Sequence, residues 1–337
     1  MSIVITIDGG TTNTRVYLWE NGNLADQKRR DVGVRNTAID GDNRKLKNAV
    51  KEMLAELLSS NNLTFRDVEA IYASGMLTSN VGLYELPHLI APAGIVDFAD
   101  GVREVLMEDI APVPISFIPG LKNMKNEDVS LSNVGEMDIM RGEETEAVAI
   151  LSEYPDLRNA VLILPGSHTK FVIVDNERRI AGCLTSMTGE LLSMVTENSV
   201  IADSVGKDYL RTEPDWEYLY EGYCQAKNTG SFGRAAFITR ILGQAVTSDR
   251  RCLQSFLLGA VLESDIAAVT GSRLIRESNC ARVLIAGKET LSLALTYLID
   301  RSGSFEKAEC YQSASSELPL SGKGAIAIYK LQRGKGL

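Results

Sequence analysis

One pattern occurs twice in this chain and limits what it can fold into. It is an apolar strand, a turn dense in glycine and hydroxyl side chains, and a second apolar strand. Near the N-terminus an apolar run at residues 3–7 stops at Asp8-Gly9-Gly10-Thr11-Thr12-Asn13 and resumes at 15–20. It then turns through Asn21-Gly22, a strong two-residue hairpin signal, into a third strand from Leu24. Around residue 160 the chain starts again, with strand 161–164, turn Pro165-Gly166-Ser167-His168-Thr169-Lys170, strand 171–174, turn Asp175-Asn176-Glu177 and strand 179–184. Gly10-Thr11 answers to Gly166-Ser167, and Thr14-Arg15 to Thr169-Lys170, about 156 positions apart. We read this as a duplicated domain. Between the repeats, Leu46, Val50, Leu54, Leu57 and Leu58 fall at helical spacing over 45–58, and 68–73 reads as a strand. Later come a helix at 253–269, a strand at 283–286, Gly287, and a helix at 290–298. Strands alternating with helices predict an α/β protein. A chain of 337 residues is better served by two cores than one, with the expected division at 1–140 and 141–337.

Composition narrows the function classes. A net charge of −9 disfavours a general binder of nucleic-acid backbones, though it says nothing about one local pocket. The five cysteines (Cys183, Cys224, Cys252, Cys280, Cys310) form no Cys-x-x-Cys pair, and only His88 and His168 are histidines, so neither a zinc site nor a redox dithiol is expected. Free thiols fit a reducing compartment, and the N-terminus has neither a basic region nor a long apolar run. A cytoplasmic protein with no membrane and no nucleic-acid partner is the expectation. Oligomeric state stays open, a homo-oligomer included.

The chemistry sits in the turns. In Asp8–Asn13, Gly9 and Gly10 let backbone N–H groups approach a polyanion, and Thr11, Thr12 and Asn13 add donors. Asp8, at a strand end, can hold Mg²⁺ through water. The second turn offers Gly166, Ser167, His168, Thr169 and the cation Lys170. No Gly-x-x-x-x-Gly-Lys-Ser/Thr loop is present, so a P-loop does not explain the pattern. Two phosphate hairpins instead resemble the actin/hexokinase superfamily. That resemblance implies a two-domain actin-like ATPase (ribonuclease H-like) fold with a nucleotide cleft between the lobes, and ATP with Mg²⁺ as the ligands. Met140-Arg141-Gly142-Glu143-Glu144-Thr145 opens an apolar helical stretch. Acids there complement a helix dipole in any protein. Sugar kinases of this superfamily carry Gly-Asp-Gln at this position, and the comparison puts Glu143 in the place of the catalytic aspartate, with Glu144 beside it and Asp138 as the alternative. The turn at Gly287 corresponds to the glycine turn that admits adenosine.

Across these segments the chain resembles the 2-dehydro-3-deoxygalactonokinase family. The likeness rests on Asp8 to Arg15, Ser74-Gly75-Met76 through Pro92-Ala93, Met140 to Thr145, Leu164 to Lys170, and Ser186-Met187-Thr188-Gly189-Glu190-Leu191. It implies MgATP-dependent phosphorylation of 2-dehydro-3-deoxy-D-galactonate at its terminal 6-hydroxyl. Gly75, Met76, Ser79 and Asn80 are then the expected contacts to the sugar acid. The chain departs from the family's Gly-Ser-x-x-Gly-Trp by carrying Thr78 for the first glycine and Leu83 for the tryptophan. A kinase for another 2-keto-3-deoxy acid or small carboxylate remains an alternative at this stage, as does a non-catalytic actin-like ATP-binding regulator.

Overall fold

The computed structural model describes residues 2–312 and 319–335. They form two compact units, one of residues 2–157, 178–181 and 319–335, the other of 158–177 and 182–312. The first unit opens with strands β1 (Ile3–Gly9), β2 (Thr14–Glu20) and β3 (Asn23–Arg30), then helices α1 (Val34–Asp40) and α2 (Arg44–Ser60) and strand β4 (Ala70–Gly75). It continues through β5 (Leu89–Ile90), α3 (Ile95–Gly101), β6 (Arg103–Val105), β7 (Ile115–Phe117), β8 (Leu121–Lys122), β9 (Ile139–Met140) and α4 (Glu143–Glu153). Asn21 and Gly22 both take positive φ, 50° and 85°, which is why that dipeptide closes the β2–β3 hairpin.

The second unit holds β10 (Ala160–Leu164), β11 (Thr169–Val174) and most of β12 (Ile180–Ser186). Helices α5 (Thr188–Asn198), α6 (Trp216–Thr229), α7 (Phe232–Ala245), α8 (Arg250–Gly271) and α9 (Arg273–Glu277) follow. Strand β13 (Arg282–Ile285), helix α10 (Glu289–Ser302) and strand β14 (Lys307–Cys310) complete it. The chain ends with α11 (Leu320–Lys335).

The repeat read from the sequence is a repeat of topology. The first sheet runs β3-β2-β1-β4-β7-β6 and the second β12-β11-β10-β13-β14. In each, the opening strand pairs antiparallel with the next and parallel with the strand that follows the helices. This is the ribonuclease H-like sheet expected of each actin-like half. Its central strands read as continuous apolar runs because they are buried on both faces. Against β1 and β2 pack Leu46, Val50, Met53, Leu54 and Leu57 of α2, all fully buried.

One expectation is revised. The units do not divide at 140/141, because α4 and the C-terminal α11 both belong to the first. A Cβ on Gly324 would lie 1.8 Å from Thr145 O, so α11 meets α4 at backbone contact. Lys323 pairs with Glu153 at 2.7 Å, and Gln332 Nε2 donates to Ala99 O at 2.7 Å. Helix α8 is long and apolar enough to cross a membrane (22 residues, mean hydropathy 1.5). Two thirds of its apolar window is buried within the fold, as in a core helix.

Candidate active site

Each hairpin tip is fixed by a helix N-terminus. Gly10 N–H donates to Asn13 O at 2.8 Å and closes the first turn. The carbonyls of Gly10 and Thr11 accept from Val34 N–H (3.2 Å) and Arg35 N–H (2.9 Å), at the start of α1. Such a close approach needs glycine at 33, where a Cβ would lie 2.5 Å from both carbonyl oxygens. The second tip repeats this. Glu190 N–H donates to Ser167 O at 3.0 Å, and a Cβ on Gly189 would lie 2.4 Å from Gly166 O. Thr11, Thr12, Gly166, Ser167 and His168 are exposed. Among the described residues, no protein acceptor takes the N–H groups of these five. Outward amides beside hydroxyls are receptors for an anion.

The second tip is narrower than the sequence suggested. Thr169 and Lys170 lie inside β11, where Lys170 pairs with Leu164 across the ladder, and both are buried. Lys170 Nζ donates to Thr185 Oγ1 at 2.6 Å. His168 Nε2 lies 2.8 Å from Glu190 Oε2.

Three sequence-distant motifs converge in the first unit. Parallel pairing of β1 with β4 sets Asp8 beside Ser74 and Gly9 beside Gly75. A Cβ on Gly75 (φ 73°) would lie 2.5 Å from Gly9 O and 3.2 Å from Asp8 Oδ1, and one on Gly142 (φ 118°) 3.3 Å from the Gly75 Cα. Glycine at both points therefore lets residues 8–9, 74–76 and 140–146 meet. Asp8 pairs with Arg15 at 3.3 Å, yet burial outweighs the guanidinium and raises its pKa. Glu144 is wholly buried, and its two carboxyl oxygens accept from Gly142 N–H at 2.8 and 2.7 Å. Burial, then the charge of Glu143, pushes the Glu144 carboxyl up to about 8. Glu143 is partly exposed and accepts from Arg141 N–H at 3.1 Å. Asp138 precedes β9, accepting from Ile139 N–H at 2.7 Å, outside the helix that carries the glutamates. Glu146 is the acid missed in the sequence. Burial and the charges of Asp8, Glu143 and Glu144 push it up to about 8. Its spacing of three from Glu143, one turn along a helix face, was the available signal.

The segment after β4 is gripped by Arg141. Its Nη1 donates to Thr78 O and Thr78 Oγ1, both at 2.5 Å, and its Nη2 to Leu86 O at 3.0 Å, with His88 Nδ1 at 3.2 Å. The small sheet β5-β8-β9 brings Arg141 there by pairing Leu121 with both Leu89 and Met140. Burial, with Arg141 and Lys122 nearby, lowers the His88 pKa to about 4, so the ring is neutral. The threonine that departs from the family pattern thus supplies a hydroxyl to Arg141, and Leu83, in place of tryptophan, is buried in the first unit's core. Ser79 is buried with its hydroxyl on Met76 O (2.7 Å), Met76 packs partly against the core, and Asn80 is exposed. Arg141→Met should therefore loosen 78–88 and raise KM for the acceptor several-fold more than KM for the nucleotide. Equal changes in both constants, measured by steady-state kinetics, would refute the role of this grip.

Gly287 is exposed at the C-terminal end of β13, and a Cβ there would lie 2.8 Å from Pro165 Cδ, beside the second tip. A cavity of about 330 Å³ in the first unit, lined by Ala93, Phe98, Leu151 and Arg178 among others, includes none of the motif residues. Among the described residues, no group of three or more His, Cys, Asp or Glu side chains could hold a metal. That is compatible with Mg²⁺ held by one carboxylate, substrate phosphates and water, but not with an all-protein cage.

The sequence profile of the 2-keto-3-deoxy-galactonokinase family matches residues 8–315. A 2-dehydro-3-deoxygalactonokinase of Escherichia coli (strain K12) is 25% identical over 266 residues, 79% of this chain and 80% of that one. A protein of Rhizobium meliloti (strain 1021) assigned the same activity is 24% identical over 202 residues, 60% of this chain and 58% of that one. A crystal structure of a Sinorhizobium meliloti protein assigned as a 2-dehydro-3-deoxygalactonokinase superposes with TM-score 0.71 at 18% identity, covering 98% of both chains. From the Asp8 turn through the second hairpin and beyond, the chain belongs to the 2-keto-3-deoxy-galactonokinase family.

Proposed function

We propose that the protein transfers the γ-phosphoryl group of ATP to the terminal 6-hydroxyl of 2-dehydro-3-deoxy-D-galactonate, as a cytoplasmic enzyme. The observation that carries this reading is the pair of matching hairpin tips, each bonded through at least one carbonyl to a helix start and each with exposed amides that take no acceptor among the described residues. The exposed tips Thr11-Thr12 and Gly166–His168 would bind the phosphates, and Gly287 leaves room for the adenosine. Asp8 would hold Mg²⁺, whose bound charge offsets that developing on the phosphate oxygens. Glu143, the partly exposed acid at the start of α4, would accept the hydroxyl proton as the bond from phosphorus to the ADP oxygen breaks and the bond to the sugar oxygen forms. Glu144 has both oxygens engaged with a buried amide and does not suit that role.

Phosphate transfer from ATP to a panel of sugar acids tests the assignment. The expected result is Mg²⁺-dependent turnover with 2-dehydro-3-deoxy-D-galactonate preferred. Turnover with none of the panel would sink the kinase reading. Preference for another 2-keto-3-deoxy acid would overturn only the named substrate.

A further inference from the structure

The segment 186–191 contains no acid or base suited to the transfer step other than Glu190, which faces His168. Its geometry gives it another task. Thr188 is the first residue of α5, and the next two residues of that helix are those that seat the second hairpin tip. Thr188 is itself held from behind. Its hydroxyl lies 2.6 Å from each carboxylate oxygen of Asp265, on the core helix α8, and all three atoms are buried. Asp265 is 1% exposed on α8, whose Leu258, Val261, Leu262 and Val269 at helical spacing from it are also buried, and a carboxylate there is costly unless it is bonded. Burial lifts its pKa to about 6 against the hydroxyls of Ser186, Thr188 and Thr169. Ser186 ends β12, the strand that leads into α5, and its hydroxyl lies 3.3 Å from that of Thr188.

We infer that Asp265 is a positioning residue for nucleotide phosphate, setting the Gly166–His168 tip through Thr188 and the start of α5. The inference rests on the reading of that tip as a phosphate receptor. Among the described residues of the first unit, no buried carboxylate plays the matching part. There the α1 start is held by the Asn36 side chain, which accepts from Gly33 N–H at 3.1 Å.

The test uses the full-length enzyme and four variants. Thr188→Val is nearly isosteric and removes the hydroxyl, Asp265→Leu removes the acceptor, and Asp265→Asn retains an oxygen for Thr188. Ser167→Glu puts a negative charge on the exposed tip itself. Displacing the tip should lower kcat/KM for ATP by about 10- to 100-fold in Thr188→Val and Asp265→Leu. KM for the sugar acid should stay near that of the wild type, and Asp265→Asn should recover most of the loss. Melting temperatures separate this from unfolding, since a purely structural role would move stability and leave the ATP constants of the folded enzyme alone. Unchanged ATP kinetics in Thr188→Val, with Ser167→Glu impaired, would overturn the inference and leave the phosphate reading intact. Unchanged ATP kinetics in Ser167→Glu would overturn the phosphate reading, and the inference with it.

Discussion

Glu143→Gln should lower kcat by about 10²- to 10⁴-fold, the usual worth of a general base, with nucleotide affinity preserved. Glu144→Gln should behave differently. Glu144 is fully buried and its carboxyl binds the Gly142 amide, so its replacement should act on stability rather than on the transfer step. The pH dependence distinguishes the two. The Glu144 carboxyl is pushed up from 4.5 to about 8, so the folded state holds a proton that the unfolded chain releases. Its contribution to stability is fully present below pH 4.5 and is lost as the pH rises through about 8. Wild-type melting temperature should therefore fall across that interval, and Glu144→Gln should flatten the fall. Rapid-quench measurement of the transfer step, together with thermal melts at pH 5, 6.5 and 8, would check both expectations. A folded Glu144→Gln enzyme that is inactive, beside an active Glu143→Gln, would show that the base is Glu144. If both stay within a few-fold of wild type, Glu146 becomes the acid to test.

Asp8→Asn should abolish most Mg²⁺-dependent turnover, by two or more orders of magnitude, while the fold persists. The side chain is one of several like charges about the start of α4, and Asp8 and Glu146 each oppose ionisation of their neighbours. A divalent cation would relieve that crowding, as would the neutral amide. The variant should thus melt no lower than the wild type, and added Mg²⁺ should stabilise it less. Initial rates across a magnesium series, with melts in the same buffers, provide the measurement. Wild-type rates for Asp8→Asn throughout the series would remove Asp8 from the metal site.

Some of this was legible in the residues because it is local. The two hairpins, the Asn21-Gly22 turn and the face of α2 follow from short-range periodicity and turn chemistry, and each appears where that chemistry puts it. The likeness of the two sheets was implicit in the repeat, since similar segments fold alike, but their strand order was not. Asp8 and Gly9 could be singled out from the chemistry of their turn, whereas Glu143 was singled out only by the resemblance to the Gly-Asp-Gln motif. What the sequence could not fix were relations between distant segments. Thr169 and Lys170 read as turn residues, but ladder register carries both into β11. The resemblance favoured Glu143 over Glu144, but only the helix rotation showed that one is buried and the other partly open. Arg141 meets Thr78 only because a three-stranded sheet returns the chain to that loop. Asp265 meets Thr188 across 77 residues, and α11 joins a unit whose other residues nearly all precede it by more than 130 positions. Such contacts depend on which surfaces bury one another, and that is settled by the packed chain as a whole rather than by any window of its sequence.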